Sequence, residues 1–259
     1  AMKRDEPPRN APDPALVRDQ LARLRAEQER LFAQLADGEQ HFRQLARSVW
    51  RVQEEERRRL ARELHDGIGQ HLTALRHRLE SLAAGAREST DIARALELCA
   101  QALEETRALS RLLRPQILDD LGLVPALRWL GRSMGEAAGL EIVVDAGPLP
   151  EPLDGDLSTL VFRVVQEALT NAVKHAGARQ VVVRLALRGD ALQLLVVDDG
   201  RGCELGAAFS AASSGQATGM SSMRERVRLF GGRFDVDSRP GEGLQIRVAL
   251  PLPPPGNSA

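Results

Sequence analysis

The sequence predicts an α+β multidomain protein, in which a long helical region precedes a domain that combines helices with one mostly antiparallel sheet. Two observations lead to this fold class. Apolar residues recur at helical spacing from Leu21 to Leu113, and strand-like runs alternate with helical patterns only after Pro115. The composition agrees, because 259 residues, 43% of them apolar and 27% charged, suffice to bury the cores of one or two domains.

The overall composition narrows the class of protein. A net charge of −1, from 35 basic and 36 acidic residues, disfavours direct nucleic acid binding, which requires a basic excess. Cys99 and Cys203 are the only cysteines and lie far apart, so neither a disulfide framework nor a thiolate metal site is indicated. No apolar run is long enough to span a membrane, which favours a cytoplasmic location. The opening "AMKRDEPPRN" looks like a cut or tagged end, so sensor segments or an inner-membrane anchor upstream stay open.

Residues 14–55 are predicted to form a signalling coiled coil, preceded by a disordered or tag segment over residues 1–13. Ten positions from 21 to 52 alternate steps of three and four, and apolar side chains fill eight of them, with Gln28 and Gly38 as the exceptions; this is the heptad pattern of a coiled coil. The apolar residues are Leu21, Leu24, Leu31, Leu35, Phe42, Leu45, Val49 and Val52. Near Arg57 the spacing widens to steps of four, which predicts a change of supercoil and a point through which regulation acts.

Residues 56–116 are predicted to form a dimerisation hairpin. The first helical pattern breaks at Gly85, and a second amphipathic pattern runs from Ile92 to Leu113 before Pro115 ends it. Two helices alone cannot cover their apolar stripes, so two chains are expected to pair into a four-helix bundle. The sequence therefore predicts a homodimer.

Residues 117–252 are predicted to form the α+β domain, followed by a disordered tail over residues 253–259. The apolar patterns predict helices over about 123–138, 156–176 and 220–230. Strands are predicted for "LEIVVDA", "QVVVRLALR", "LQLLVVDD", "GRFDVDS" and "LQIRVAL".

One histidine in the first hairpin helix has a favourable position for chemistry. His65 follows the core position Leu64, so its ring is expected to face solvent, where a largely neutral imidazole is a competent nucleophile. Asp66 is placed to accept the ring proton or to hold its tautomer, and Gln70 to orient a water molecule. Taken alone, the spacing also fits an ordinary surface histidine.

A polar helix face in "QEALTNAVKHAGA" is a candidate ligand site. Glu167, Asn171, Lys174 and His175 share this face by steps of three and four. Asn171 is a candidate magnesium ligand, and Lys174 or His175 a candidate phosphate contact. An ordinary solvated helix face is the alternative.

The segment "VVDDGRG" places Asp198 at the end of an apolar strand, where a carboxylate is suited to accept a hydrogen bond from an adenine amino group. Gly200 and Gly202 would let the backbone approach a ligand, and the Asp-Gly pair also fits a simple turn. Gly219 follows a Gly/Ser/Ala-rich stretch and opens a helix, which suits a phosphate-binding lid or a disordered loop.

The order of these segments resembles the histidine kinase family, of the nitrate-sensor and lipid-desaturase-sensor (NarX/DesK-like) type. The matching motifs are "ARELHDGIGQ", "LRPQILDDLGLVPAL", "QEALTNAVKHAGA", "VVDDGRG" and "GMSSMRERVRLFGG". The resemblance implies a sensor histidine kinase that phosphorylates His65 from magnesium-ATP with the help of Asp66. It also implies transfer to an aspartate of a response regulator, commonly a helix-turn-helix transcription regulator, and a role for Gln70 in dephosphorylating that regulator.

The later motifs resemble the Bergerat fold shared with Hsp90-type and gyrase-type ATPases. The resemblance implies Asn171 as the magnesium ligand and Asp198 on adenine. The further implied nucleotide-binding positions are Glu167, Lys174, His175, Gly200, Gly202 and Gly219. Two positions depart from many relatives, because Ala217 replaces a glycine of the lid and Leu244 a threonine. Two alternatives stay open: a scaffold or phosphatase-only protein with a degenerate lid, and an ATPase that forms no phosphohistidine.

Overall fold

The computed structural model describes residues 14–85, 90–113, 116–150, 152–204 and 219–252. The two chain ends that the sequence predicts to be disordered lie outside the described residues. The chain divides into two compact units, which are residues 1–48 and 49–259.

The first unit contains the N-terminal part of helix α1, which runs over Pro14–Glu63. The apolar heptad side chains in this part are more than half exposed in the single chain. They are Leu24, Leu31, Leu35, Phe42 and Leu45. A lone helix cannot bury such a stripe, as expected for a helix that pairs with a second apolar surface. Within the described ranges, no helix combines the length and apolarity that crossing a bilayer requires.

The second unit begins with the remainder of α1 and the helical hairpin. Helix α1 passes into a π-helical turn at Leu64–Gly69, which is followed by α2 (Gln70–Gly85) and α3 (Thr90–Leu113). The predicted break at Gly85 is therefore confirmed. Helix α3 packs against both α2 and the π-helical turn. Cys99 is buried in this hairpin, and its thiol donates a hydrogen bond to the carbonyl oxygen of Leu72 over 3.2 Å.

Five strands follow the hairpin in sequence. They are β1 (Glu141–Ala146), β2 (Gln180–Arg188), β3 (Ala191–Asp198), β4 (Arg233–Ser238) and β5 (Leu244–Pro251). They form one sheet in the order β1-β2-β3-β5-β4. The pairing of β1 with β2 is parallel, and the other pairings are antiparallel, which confirms the predicted mostly antiparallel sheet.

Helices pack on this sheet and form its core. They are α4 (Gln116–Asp120), α5 (Leu123–Ala138), α6 (Gly155–Asn171), which ends in a second π-helical turn (Ala172–Ala176), and α7 (Gly219–Leu229). Asp154 caps α6, because its carboxylate accepts the N–H of Leu157 over 2.9 Å. The largest fully buried side chains include Leu127, Leu160, Phe162, Leu185, Leu192, Met223 and Leu250.

Two glycines let α5 pack closely on β1. A Cβ at Gly135 would lie 2.6 Å from the carbonyl oxygen of Leu140, and one at Gly131 would lie within 3.2 Å of Ile142 and Val144. A side chain at Gly135 would collide with the backbone, and one at Gly131 would push its neighbours by a few tenths of an ångström, so the two glycines allow the helix to pack closely on the strand. The described helices and strands of this domain begin and end within one residue of their predicted limits wherever the sequence predicted them.

Candidate functional site

A cleft of about 330 Å³ opens between the end of α6, the start of α7 and the ends of β3 and β5. This volume is typical of small-ligand pockets in proteins. The side chains and backbone that line it are Ala168, Asn171, Ala172, His175, Ala176, Asp198, Gly202, Cys203, Gly219, Met220, Leu244 and Ile246. The cleft is therefore mostly apolar, with Asn171, His175 and Asp198 as its candidate polar anchors.

Asp198 is the most buried charged side chain of the cleft. It is the last residue of β3 and is 8% exposed. Its Oδ1 atom accepts the N–H of Gly200 over 3.0 Å. Burial raises the pKa of this carboxyl above its ordinary value, whereas hydrogen bonds from the N–H groups of Gly200 and Leu244 lower the pKa and offset part of the rise. The result is a fixed, poorly solvated acceptor at the cleft wall.

Three glycines of the predicted site occupy positions where a side chain would collide. A Cβ at Gly200 would lie 2.6 Å from both the Cβ and the carbonyl oxygen of Ala176. Gly202 has φ +62, and a Cβ there would overlap the carbonyl group of Arg239. A Cβ at Gly219 would overlap the carboxylate of Glu167. At these positions, glycine allows neighbouring groups to approach the backbone closely.

The polar face of α6 divides at the π-helical turn. Asn171 and His175 line the cleft, whereas Lys174 is exposed and is not among the lining residues. A π-helical turn takes more residues per revolution than an α-helix. His175, four residues after Asn171, therefore returns nearly to the same side of the helix. Lys174, three residues after Asn171, does not. Glu167 lies one turn earlier, against Gly219 rather than in the lining.

The apolar lining of the cleft was not predicted as part of the site. The apolar pattern of α6 assigns Ala168 and Ala172 to its core face, the sequence offers only the backbone N–H of Met220 to an anion, and it indicates no role for Ile246. Their signal was available in part, because Leu244 and Ile246 share one face of β5 through the two-residue repeat of a strand. Cys203 also lines the cleft, directly after Gly202.

The second set of predicted residues lies on the hairpin. His65 and Asp66 belong to the π-helical turn Leu64–Gly69, and Gln70 is the first residue of α2. The side chains of Asp66 and Gln70 are exposed, whereas the side chain of His65 lies outside the described part of the structure. π-helical turns are rare and occur often at functional sites.

Most of the predicted lid lies outside the described residues. Residues 205–218, with Ala217 and Thr218, belong to this part of the chain. The C-terminal limit of the lid, Gly219 at the start of α7, is described and lines the cleft.

Two family models match this chain in separate regions. Residues 56–118, which include the hairpin, match the family described as histidine kinase. Residues 156–254, which include the cleft, match the family described as histidine kinase-, DNA gyrase B-, and HSP90-like ATPase. The order of the two matches follows the order of the hairpin and the sheet domain in the chain.

Two relatives match most of this chain. The chain is 36% identical over 213 residues to "Sensor histidine kinase MctS" of Rhizobium johnstonii, covering 80% of this chain and 45% of that protein. It is 31% identical over 208 residues to "Uncharacterized sensor-like histidine kinase" of Chloroflexus aurantiacus, covering 77% of this chain and 35% of that protein. The chain thus spans less than half the length of these relatives.

Among solved structures, the chain is similar to the histidine kinase domain of the Erythrobacter litoralis EL346 blue-light activated histidine kinase. The identity is 20%, the TM-score is 0.45, and the match covers 71% of this chain and 94% of that one.

Proposed function

Because the chain belongs to the sensor histidine kinases, we propose that it phosphorylates His65 with the γ-phosphoryl group of ATP and transfers this group to an aspartate of a response regulator. The observation that carries the proposal is the buried carboxylate of Asp198 at the wall of a ligand-sized cleft, in a chain that also contains the exposed Asp66 and Gln70 beside His65. A protein of this kind acts in the cytoplasm, where ATP and response regulators are found.

The cleft residues would bind the nucleotide. Asp198 offers its carboxylate to the exocyclic amino group of adenine, and the apolar side chains of Met220, Leu244 and Ile246 can cover the faces of the base. The N-terminus of α7 at Gly219 lies in the cleft, and backbone N–H groups at a helix N-terminus are suited to phosphate. His175 lines the same cleft and would lie near the phosphates, with Glu167 and Lys174 at its edge.

Magnesium would be held mainly by the nucleotide. Among the described residues, no group of three or more His, Cys, Asp or Glu side chains forms a metal site. The amide oxygen of Asn171 is a suitable hard ligand in the cleft, and magnesium usually completes its shell with phosphate oxygens and water. When bound, the ion would neutralise charge on the transferring phosphoryl group.

At the hairpin, an imidazole nitrogen of His65 would form the bond to the γ-phosphorus as the bond to the bridging oxygen breaks and ADP leaves. The proton on the other ring nitrogen would pass to Asp66. In the reverse role, the amide of Gln70 would orient a water molecule for attack on the phosphoaspartate of the regulator. We propose a homodimer for both activities, since the heptad side chains of α1 are exposed in the single chain. The regulator's output domain is proposed to be a helix-turn-helix transcription factor.

The test is phosphorylation with labelled ATP and magnesium. We expect an acid-labile label that disappears in His65→Gln and persists in His71→Gln, which changes another exposed histidine six residues along the same helical region. Acid-stable label, or label that persists in His65→Gln, would refute the proposal.

A degenerate scaffold or phosphatase-only protein is the second candidate, and one observation favours it. Leu244 places an apolar side chain in the cleft at a position where many relatives carry a hydroxyl. Calorimetry separates the two candidates, because a degenerate cleft should show no magnesium-dependent affinity for ATP.

A further inference from the structure

The C-terminal part of α1 docks on the sheet domain through an aromatic contact. Trp50 is 6% exposed and belongs to the same buried cluster as Leu160 and Leu127 of the sheet domain. Its ring meets that of Phe230 edge-on, with 5.1 Å between centroids and an interplanar angle of 78°. Helix α1 therefore inserts one large aromatic side chain into the core of the sheet domain before it continues toward the hairpin.

A buried ion pair lies beside this aromatic contact. Arg163 of α6 and Glu54 of α1 have side chains that are 3% and 6% exposed. The guanidinium donates to both carboxylate oxygens, with the Nε atom 3.0 and 2.9 Å from Oε1 and Oε2 and an Nη2 atom 2.6 Å from Oε2. It also donates to the side chain of Gln166 over 2.8 Å and to the carbonyl oxygen of Leu113 at the end of α3. One side chain thus joins α1, α3 and α6.

Two further ion pairs flank the buried one on the same face of α1. The Nε atom of Arg51 lies 2.5 Å from the carboxylate of Asp156, at the start of α6. The Nε atom of Arg58 lies 2.8 Å from the carboxylate of Asp119 in α4. We call this set of contacts the coil latch: Trp50, Arg51, Glu54 and Arg58 with Asp119, Asp156, Arg163 and Phe230.

The coil latch holds the two helices that form the nucleotide cleft. Helix α6 carries Arg163 and, about two turns later, Asn171 of the cleft. Helix α7 begins in the cleft at Gly219 and leads to Phe230, which contacts Trp50. The π-helical turn with His65, in contrast, packs extensively against only α2 and α3 among the described elements. Glu54 lies roughly 16 Å before His65 along the helix axis, from the α-helical rise.

We propose that the coil latch restrains the nucleotide domain against the end of the signalling coil, and that it must open before His65 is phosphorylated. This inference rests on the proposed function. Trp50 and Glu54 lie one helical turn apart and so share one face of α1. Rotation of α1 about its own axis by about 100°, the angle between successive residues, would turn both side chains away from the sheet domain. The same stretch of α1 also carries the exposed heptad residues Val49 and Val52. A change in coil pairing therefore reaches the coil latch directly.

The coil latch has the properties of a contact that can open. A buried ion pair specifies one arrangement of its partners more than it stabilises that arrangement, because desolvation opposes the attraction. The indole N–H of Trp50 is buried with no hydrogen-bond partner among the described residues, which adds a cost to the docked state. Glu54 and Arg163 can both return to water when α1 moves away.

The test uses Glu54→Ala with the fluorescence of Trp50 as a readout of docking. The chain has a second tryptophan, Trp129, so the Glu54→Ala variant and its reference protein both carry Trp129→Phe. Loss of one partner of the buried pair should shift the coil latch toward the open form by about a hundredfold. We expect acrylamide quenching of Trp50 to rise severalfold and the rate of His65 phosphorylation to rise with it. Glu56→Ala, which removes an exposed carboxylate of the same helix, should change neither.

Retained ATP binding by calorimetry shows that the Glu54→Ala chain is folded, and Glu54→Asp, which keeps the charge, should restore part of the protection of Trp50. Unchanged quenching in Glu54→Ala would refute the coil latch. Increased quenching with a slower phosphorylation rate would also refute it, since the docked form would then be the active one. Absence of His65 phosphorylation in the wild-type chain would refute the proposed function instead. In that case the acrylamide quenching of Trp50 in Glu54→Ala would by itself decide whether the coil latch opens.

Discussion

The burial of Asp198 lowers the stability of the fold but favours ligand binding. Its carboxylate is buried, and an ionised group in that position costs free energy in the free protein. The same poor solvation strengthens any hydrogen bond that the carboxylate accepts from a ligand. A residue of this kind is expected to reduce the stability of the fold for the sake of recognition.

We predict that Asp198→Asn weakens ATP binding by about 1.5–3 kcal/mol, the usual worth of a hydrogen bond to a charged group. The measurement is isothermal titration calorimetry with ATP and magnesium. Asp199→Asn is the matched control, because Asp199 is exposed and its Oδ1 atom accepts the backbone N–H groups of Arg179 and Gln180 over 2.8 and 2.9 Å. An equal loss of affinity in both variants would contradict a specific role for Asp198.

The pH dependence of stability follows from the raised pKa of Asp198. The folded state binds the proton of this carboxyl more tightly than the unfolded state, whose pKa is about 3.9. The contribution of Asp198 to the free energy of unfolding is therefore fully present below the pKa of this carboxyl in the unfolded state. It is lost as the pH rises through the pKa in the folded state. We predict that Asp198→Asn becomes more stable than the wild type as pH rises through this window. Urea denaturation at several pH values measures this, and a difference that does not change with pH would contradict it.

Asp199 follows the opposite rule. Hydrogen bonds from the N–H groups of Gln180 and Arg179 lower the pKa of this carboxyl. Its stabilising contribution is present above the unfolded pKa and is lost as pH falls through the folded pKa. The pKa values of two adjacent aspartates are therefore shifted in opposite directions, because one is buried and the other accepts backbone N–H groups at the surface.

Among the elements, the π-helical turn Leu64–Gly69 interrupts an otherwise continuous helix at His65, the proposed phosphoacceptor. It contains Gly67, where an added Cβ would meet no atom within 4 Å. We predict that Gly67→Ala raises the free energy of unfolding by about 0.5–1 kcal/mol, because glycine in a helix loses more backbone entropy than alanine. Gly38→Ala in α1, which is also open, is the control for an ordinary helical site. Denaturation of both variants followed by circular dichroism is the measurement, and a destabilised Gly67→Ala would show that the turn depends on glycine.

The helices and strands were predictable because their apolar periods are regular, as in "QVVVRLALR" of β2. The π-helical turns were not predicted, because the widening to steps of four beyond Arg57 is equally expected from a change of supercoil. Their effect on the site is visible at Lys174, which shares a face with Asn171 on an ideal helix but lies outside the cleft lining. The sequence thus predicted Asn171, Asp198 and Gly219 as neighbours through their motifs, and not the apolar lining between them.

The coil latch was beyond sequence reasoning for a different reason. Glu54 and Arg163 are 109 residues apart, and Glu54 lies in a charged run that is typical of a solvated helix. Arg163 did carry a signal, since it interrupts the apolar run "LVFRVV" of α6, where a charge requires a buried partner. Nothing in the sequence identifies that partner.

At the scale of the whole molecule, the exposed heptad stripe of α1 is the surface through which we expect two chains to pair. We predict a dimer in sedimentation experiments at micromolar concentration, and we predict that Leu45→Asp raises the dissociation constant at least about tenfold, since it places a charge in the apolar seam. Gln44→Asp, which adds the same charge one position outside the seam, should have little effect. A monomeric wild type would contradict the predicted four-helix bundle.

The position of Trp50 and Glu54 on α1 also determines where a foreign sensor can be joined to this chain. A chimera fused before Val49 keeps Trp50, Arg51, Glu54 and Arg58 together with their partners, so its new input helix acts on an intact coil latch. A chimera fused after Arg58 loses these side chains while keeping both His65 and the whole cleft. On the proposed mechanism, the boundary between exchangeable input and regulated output therefore lies inside the continuous helix α1.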